Sequence, residues 1–260
     1  MTASQSTLSV RDLIVRLGGR TLSSLPELEL NAGECVSLVG ESGSGKTTAL
    51  MTLLGLNRKQ GLRFEGTVSL FGEDVLSTSD RRLRQLHGRR ISLIMQSPQA
   101  ALNPTLKLAV FLERALRIHG ISKVDARSRM REAFNSVRLA EEIAERYPHE
   151  ISGGQAQRFS IALALALGSE VIAADEPTSA LDTTVQAEIA DLLQELCRER
   201  GLGVLLVSHD LALVSNLADR IVVMRSGRVI ESGDTHAVLT SPADPYTLEL
   251  IRAGIAVGGA

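Results

Sequence analysis

Lys46 and Thr47 close the stretch "GESGSGKT" at 40–47, where a cation and a hydroxyl follow three glycines. That combination suits a phosphate chain. The glycines let the backbone wrap it with N–H groups aimed inward, a lysine reaches the outer phosphates, and the hydroxyl can ligate Mg²⁺. Gly40, Gly43 and Gly45 stand where the spacing G-x-x-x-x-G-K-[ST] and its turn require. A second reactive pair is Asp175-Glu176, at the end of the apolar run "VIAADE". A buried strand has little reason to finish in two carboxylates unless a cation or a base is wanted. Asp175 suits Mg²⁺ held through water, and Glu176 suits a base that orients and deprotonates an attacking water.

A third stretch, "ISGGQAQR" at 151–158, opens an apolar run. Read alone, Ser152 and Gln155 form a capping box that starts a helix. The same geometry is an anion site, with N–H groups pointing outward, the positive end of the dipole, and no Cβ at Gly153 or Gly154 in the way of a phosphate. Gln96 and His209 each end an apolar run. Taken singly, both read as ordinary structural residues.

These groups need elements to hold them. Strands are expected at 8–17, 34–40, 66–72, 89–95, 170–177 and 203–210, and a hairpin over 219–232 turning at Ser226-Gly227. Helices are expected after Lys46, over 104–147 between Pro104 and Pro148, and over 183–200, the last amphipathic. Short apolar strands alternating with helices imply an α/β fold with a mostly parallel sheet and helices on its faces. Lys46, Gln96, Glu176 and His209 then fall at the C-terminal ends of strands, where open α/β sheets bind ligands. The helical block at 97–150 interrupts the alternation and reads as an inserted subdomain.

Composition sets outer bounds. The chain has 260 residues, 44% hydrophobic and 22% charged, which fits an ordinary globular protein with one large domain or a domain plus a subdomain. A formal net charge of -2 gives no global attraction to nucleic acid. The cluster Arg81, Arg82, Arg84, Arg89 and Arg90 has no interleaved aromatics and reads as a solvated helix face. Cys35 and Cys197 lack metal-ligand spacing and read as free thiols of a reducing compartment. The first residues have no signal-peptide pattern, and no apolar run approaches the ~18–20 residues that span a bilayer. The expectation is a cytoplasmic protein able to dock on a membrane protein.

The ordered set "GESGSGKT", Gln96, "ISGGQ", "VIAADE", "SALD" at 179–182 and "VSH" at 207–209 resembles the ATP-binding subunits of ABC transporters, from about residue 8 to about 235. The resemblance implies a P-loop NTPase (RecA-like) core with an N-terminal antiparallel β part and an inserted helical subdomain. Its division of the chain is 1–95 with 159–235 as ATP-binding core, 96–158 as helical subdomain carrying the Gln loop and signature, and 236–260 as tail. It implies ATP and Mg²⁺ as cofactors. Gly40, Glu41, Ser42, Gly43, Ser44, Gly45, Lys46, Thr47 and Thr48 would bind the nucleotide, and Thr47, Gln96 and Asp175 the metal. Glu176, His209 and Gln96 would serve hydrolysis. Ser152, Gly153, Gly154 and Gln155 would act across a head-to-tail dimer on the ATP of a second subunit, and Asp182, in the dimer-contact loop "SALD", would also bind nucleotide.

Finer features, "QSPQAALNP", "YPHEISGGQ" and "SPADPYTLELI", resemble importers of oligopeptides, dipeptides and nickel. That class implies a second ATPase subunit, the same chain or another, and two membrane permease subunits contacted around 97–120. It also implies a solute-binding protein met indirectly, and residence on the cytoplasmic face of the inner membrane. The chain departs from the family at Ile151, where leucine is usual, and longer members carry a cysteine-bearing extension absent from this sequence. The family also stacks an aromatic on adenine near the end of the first strand. No Phe, Tyr or Trp occurs here before Phe64, and Leu17 takes the expected position. The alternatives are an ABC-type ATPase of a soluble assembly, such as phosphonate-breakdown machinery, or of a DNA-associated machine, although the long coiled-coil insertions of the latter are absent. A P-loop kinase is disfavoured by the signature and His209.

Overall fold

The computed structural model describes residues 6–258. Among these described residues there are ten strands: β1 (Leu8–Leu17), β2 (Arg20–Leu30), β3 (Cys35–Val39), β4 (Arg63–Leu70), β5 (Glu73–Asp74), β6 (Ile91–Ile94), β7 (Val171–Asp175), β8 (Gly203–Ser208), β9 (Arg220–Arg225) and β10 (Arg228–Asp234). The chain divides into two compact units. One joins the residues up to Leu83 with those from Gln194 onward, and the other runs from Arg84 to Leu193.

In the first unit the strand order is β5-β4-β1-β2-β10-β9-β3-β8. β3 is five consecutive buried residues, Cys-Val-Ser-Leu-Val, and pairs in parallel with β8 on one side and β9 on the other. A strand buried on both faces needs such a run without alternation. β1, β2, β4 and β5 pair antiparallel, as the N-terminal part was expected to do. β1 alternates as its sequence suggests, burying Leu8, Val10, Leu13 and Val15. The hairpin β9–β10 turns at Ser226 and Gly227, both with positive φ (49° and 79°), the backbone of a tight two-residue connection.

The second unit holds the parallel pair β6–β7 and most of the helical chain. The expected helical block resolves into Leu108–Ile118 and Lys123–Ser136, followed by 3₁₀ turns at Glu141–Glu145 and Pro148–Glu150. Gly120 (φ 80°) separates the two helices, and the Ser122 hydroxyl caps the second by accepting from the Asp125 N–H. Phe159 is fully buried, edge-on to Phe111 and Phe134 with ring centroids 6.4 Å and 6.0 Å away. This aromatic cluster ties helix Gly153–Leu167 to the two helices before it.

Candidate functional site

The phosphate loop leaves β3 at Gly40 and enters helix Lys46–Leu53. Gly40 has φ 144° and Gly45 φ 101°. A Cβ would lie 2.1 Å from the Met224 carbonyl oxygen at the first and 2.5 Å from that of Leu22 at the second. These glycines are needed for close backbone approach as well as for φ. The buried Lys46 ammonium donates to the carbonyls of Gly40 (2.7 Å) and Glu41 (2.9 Å). The Gly227 N–H, at the hairpin tip, donates to the Ser44 carbonyl at 2.9 Å. Thr47 is exposed on the first helical turn. In the register of β3 and β8, Val39 is opposite Ser208, so the loop and the exposed His209 leave adjacent strands at the same end. Asp210, next in sequence, caps helix Leu211–Leu217 through the N–H groups of Ala212 and Leu213. Leu17 ends β1 opposite Arg20 and is 49% exposed.

The second unit carries the carboxylates and the signature. Ile94 of β6 is opposite Ala174 of β7, so Gln96 and the Asp175-Glu176 pair follow the same ends of neighbouring strands. Gln96 is exposed; Asp175 and Glu176 are half-buried. Glu176 has φ 51°, uncommon for a residue with a side chain, and its carbonyl accepts from the Ser179 hydroxyl at 3.2 Å. Such strain collects at sites where function over-determines the backbone.

Ser152 caps helix Gly153–Leu167 as its sequence predicts. Its hydroxyl accepts from the Gln155 N–H at 3.2 Å, and its own N–H donates to Gln155 Oε1 at 2.9 Å. The two glycines have a second reason to be there. A Cβ at Gly153 would lie 2.9 Å from Leu181 Cδ2, and one at Gly154 2.6 Å from Val185 Cγ1. Arg158, one turn on, donates to the Val137 carbonyl and to Glu188, both at 2.8 Å. Asp182 accepts from the Val185 N–H at 3.0 Å and so caps the helix that follows it.

Sequence reasoning missed the residues that brace the phosphate loop: Leu22, Met224, Gly227 and Tyr246, whose hydroxyl accepts from the Glu41 N–H at 3.2 Å. Only the "PYT" of the tail hinted at the last, and only as a class marker. Within the basic cluster, Arg82 pairs with Glu73 (2.8 Å), Arg90 with Glu170 (2.5 Å), and Arg89 donates to the His119 carbonyl. Burial pushes the Cys35 thiol well up, with Cys197 and Asp219 adding to it; Cys197 itself is pushed up to about 12, chiefly by burial. Sequence presented the two thiols as isolated, whereas the fold makes them electrostatic neighbours.

The model for the ABC transporter family matches residues 25–179. The probable D,D-dipeptide transport ATP-binding protein DdpD of Escherichia coli (strain K12) is 44% identical over 229 residues, covering 86% of this chain and 70% of that protein. The dipeptide transport ATP-binding protein DppD of the same organism is 39% identical over 224 residues, covering 85% and 68%. Among solved structures, the dimeric post-hydrolysis state of the ATP-binding cassette MJ0796 bound to ADP and Pi has a TM-score of 0.75. It is 29% identical and covers 88% of this chain and 98% of that one. The fold is also that of cbiO1 from Clostridium perfringens, with a TM-score of 0.79 over 97% of this chain and 99% of that one, at 23% identity. With the phosphate loop, the strained Glu176 and the capped Ser152 helix in place, the chain belongs to the ABC transporter family and is an ATPase of the ATP-binding cassette type.

Proposed function

We propose that the chain is the ATP-hydrolysing subunit that energises an ABC importer for peptides or a related small solute, nickel included. The similarity to DdpD carries this reading, since it extends over 86% of the chain and beyond the motifs common to all cassettes. Lys46 and the backbone of Gly40–Thr48 hold the phosphates, and Leu17 lies against the adenine. The oxygens of Thr47, Gln96 and Asp175 are the hard donors Mg²⁺ prefers. Among the described residues no group of three or more His, Cys, Asp or Glu could hold a metal ion. A single carboxylate with two neutral oxygens suits a metal that arrives with ATP and keeps phosphate and water ligands. Bound Mg²⁺ supplies charge neutralisation on the phosphates. Glu176 takes the proton of the attacking water, and His209 and Gln96 position water and phosphate.

A second ATPase subunit, identical or not, presents its equivalent of the Ser152–Gln155 segment to this chain's ATP while this chain's own segment serves the partner, Asp182 lies in the dimer-contact loop beside the nucleotide, and hydrolysis reopens the pair. The helical segment 96–158 carries this motion to two permease subunits, which a solute-binding protein feeds. Residues 1–95 and 159–235 form the ATP-binding core, with 236–260 as the tail. Among the described residues no helix is long and apolar enough to cross a membrane; the importer reading puts the subunit peripherally on the cytoplasmic face of the inner membrane. Affinity purification of the tagged chain from its own membranes tests the reading. Two permeases and a second ATPase subunit are expected; recovery with soluble enzymes instead overturns it.

A further inference from the structure

Tyr246 is one of two tyrosines in the chain and is 3% exposed. Its hydroxyl accepts from the Glu41 N–H, a contact between residues 205 positions apart. The same peptide unit works on its other side, where the Gly40 carbonyl accepts from Lys46 Nζ at 2.7 Å, and the next carbonyl, that of Glu41, accepts from the Ser44 N–H at 3.1 Å and from Lys46 Nζ at 2.9 Å. One residue's backbone thus links the C-terminal helix Pro245–Gly258 to the loop's lysine.

The tyrosine is itself held from several directions. The Arg225 guanidinium lies over its ring, 4.5 Å from the centroid. Asp244 Oδ1 accepts from the Tyr246 N–H at 2.8 Å. Glu231 of β10 accepts from the N–H groups of Ala243 (2.7 Å) and Asp244 (3.2 Å). The carboxylates of Asp244 and Glu231 cap the start of the helix, as any helix end requires, and thereby fix where its second residue, Tyr246, stands. Together they fix the hydroxyl at one point of the phosphate loop.

We propose that Tyr246 is a positioning residue for nucleotide binding, its hydroxyl orienting the Glu41 peptide and so preorganising the loop and Lys46. The inference rests on the reading of residues 40–48 as the ATP phosphate site. A loop fixed beforehand loses less freedom when the ligand arrives, so the hydroxyl contributes to affinity. Ground state and transition state see the same loop, so the contribution is to binding and leaves turnover alone. The coupling is reciprocal, and bound nucleotide steadies the C-terminal helix in turn.

The test compares the full chain with Tyr246→Phe, which keeps the buried ring and its cation contact and removes one hydroxyl. Leu248→Ala, on the same helix but exposed, is the control. Calorimetric titration with Mg-ATP is expected to show Tyr246→Phe binding ~2–10-fold more weakly, the range of one hydrogen bond, with kcat unchanged and Leu248→Ala like the parent. Amide exchange on the unsubstituted chain gives an independent readout, in which saturating Mg-ATP slows exchange over residues 245–254. Equal affinity of Tyr246→Phe and parent, a loss confined to kcat, or exchange at 245–254 indifferent to ATP overturns the inference and leaves the ATP site standing. Failure of the parent to bind Mg-ATP overturns both.

Discussion

A β-carbon on Gly154 would stand 2.6 Å from Cγ1 of Val185, inside any van der Waals contact. The start of helix Gly153–Leu167 is therefore packed against the segment after "SALD", in addition to the phosphate role proposed for it. Val185 is β-branched and has little rotamer freedom with which to yield. Gly154→Ala is expected to destabilise the chain by about 1–3 kcal/mol in urea unfolding, despite alanine's better helix propensity. Combining it with Val185→Ala should restore most of the loss. A stable single variant, or a double variant no better than the single, would show that the neighbour gives way freely.

Glu176 sits at the end of β7 with its backbone in the left-handed region. Glu176→Gln keeps the side-chain shape and removes the proton acceptor. ATP binding should persist while hydrolysis falls by ~10²–10⁴-fold, and ATP-bound dimers should accumulate on size exclusion. Near-normal turnover would remove Glu176 from the role of base.

The two segments proposed to bind phosphate should separate by mutation. Lys46→Ala deletes a charge-assisted phosphate contact and should abolish ATP binding to its own chain. Ser152→Ala should spare that binding, weaken the helix start by about 0.5–2 kcal/mol, and impair hydrolysis only in the assembled dimer. Equal loss of ATP affinity by the two variants in the isolated chain would contradict the assignment.

Leu17 is 49% exposed at the end of β1, and on the proposed reading it meets the adenine with an apolar surface and no aromatic face. Stacking contributes ~0.5–1.5 kcal/mol beyond burial. Leu17→Tyr should tighten ATP binding by roughly 2–10-fold without changing the hydrolytic step, and the parent should discriminate ATP from GTP weakly. Unaltered affinity in the variant would show that the base lies elsewhere.

Burial raises Cys197 from 9.0 to about 12. The unfolded thiol ionises near the lower value, so above it the unfolded state binds fewer protons than the native one. Its stabilising contribution is complete below pH 9 and is lost as pH rises toward 12. Over that window the parent should lose ~1.4 kcal/mol per pH unit more than Cys197→Ala in denaturant titrations. Parallel pH profiles would contradict this.

The strands that carry chemistry were legible because burial on both faces writes itself as an apolar run, as in Cys35–Val39 and Val171–Asp175. β2 was not. Its sequence, RTLSSLPELEL, has two serines and Pro26, which argue against a central strand. It pairs fully only with β1 and touches β10 at a single register position, Arg228 with Ser24, so the proline costs little. The capping box at Ser152 was readable because its partners are three residues apart. The brace from Tyr246 to Glu41 was not, because no local pattern encodes a bond between residues 205 positions apart.

The hairpin tip at Ser226-Gly227 would ordinarily be a place to insert an affinity tag or a label, since exposed tight turns tolerate added chain. Here the Gly227 N–H holds the Ser44 carbonyl at 2.9 Å, and a Cβ at Gly227 would meet the Leu22 carbonyl oxygen at 2.9 Å. Lengthening this turn would pull on the phosphate loop. The turn at Phe71-Gly72, where a Cβ at the glycine would meet nothing within 4 Å, is the better port for a fluorophore or an epitope. A label placed in the Ser226-Gly227 turn would thus be felt at the nucleotide loop through Gly227 itself, whereas one at Gly72 would not.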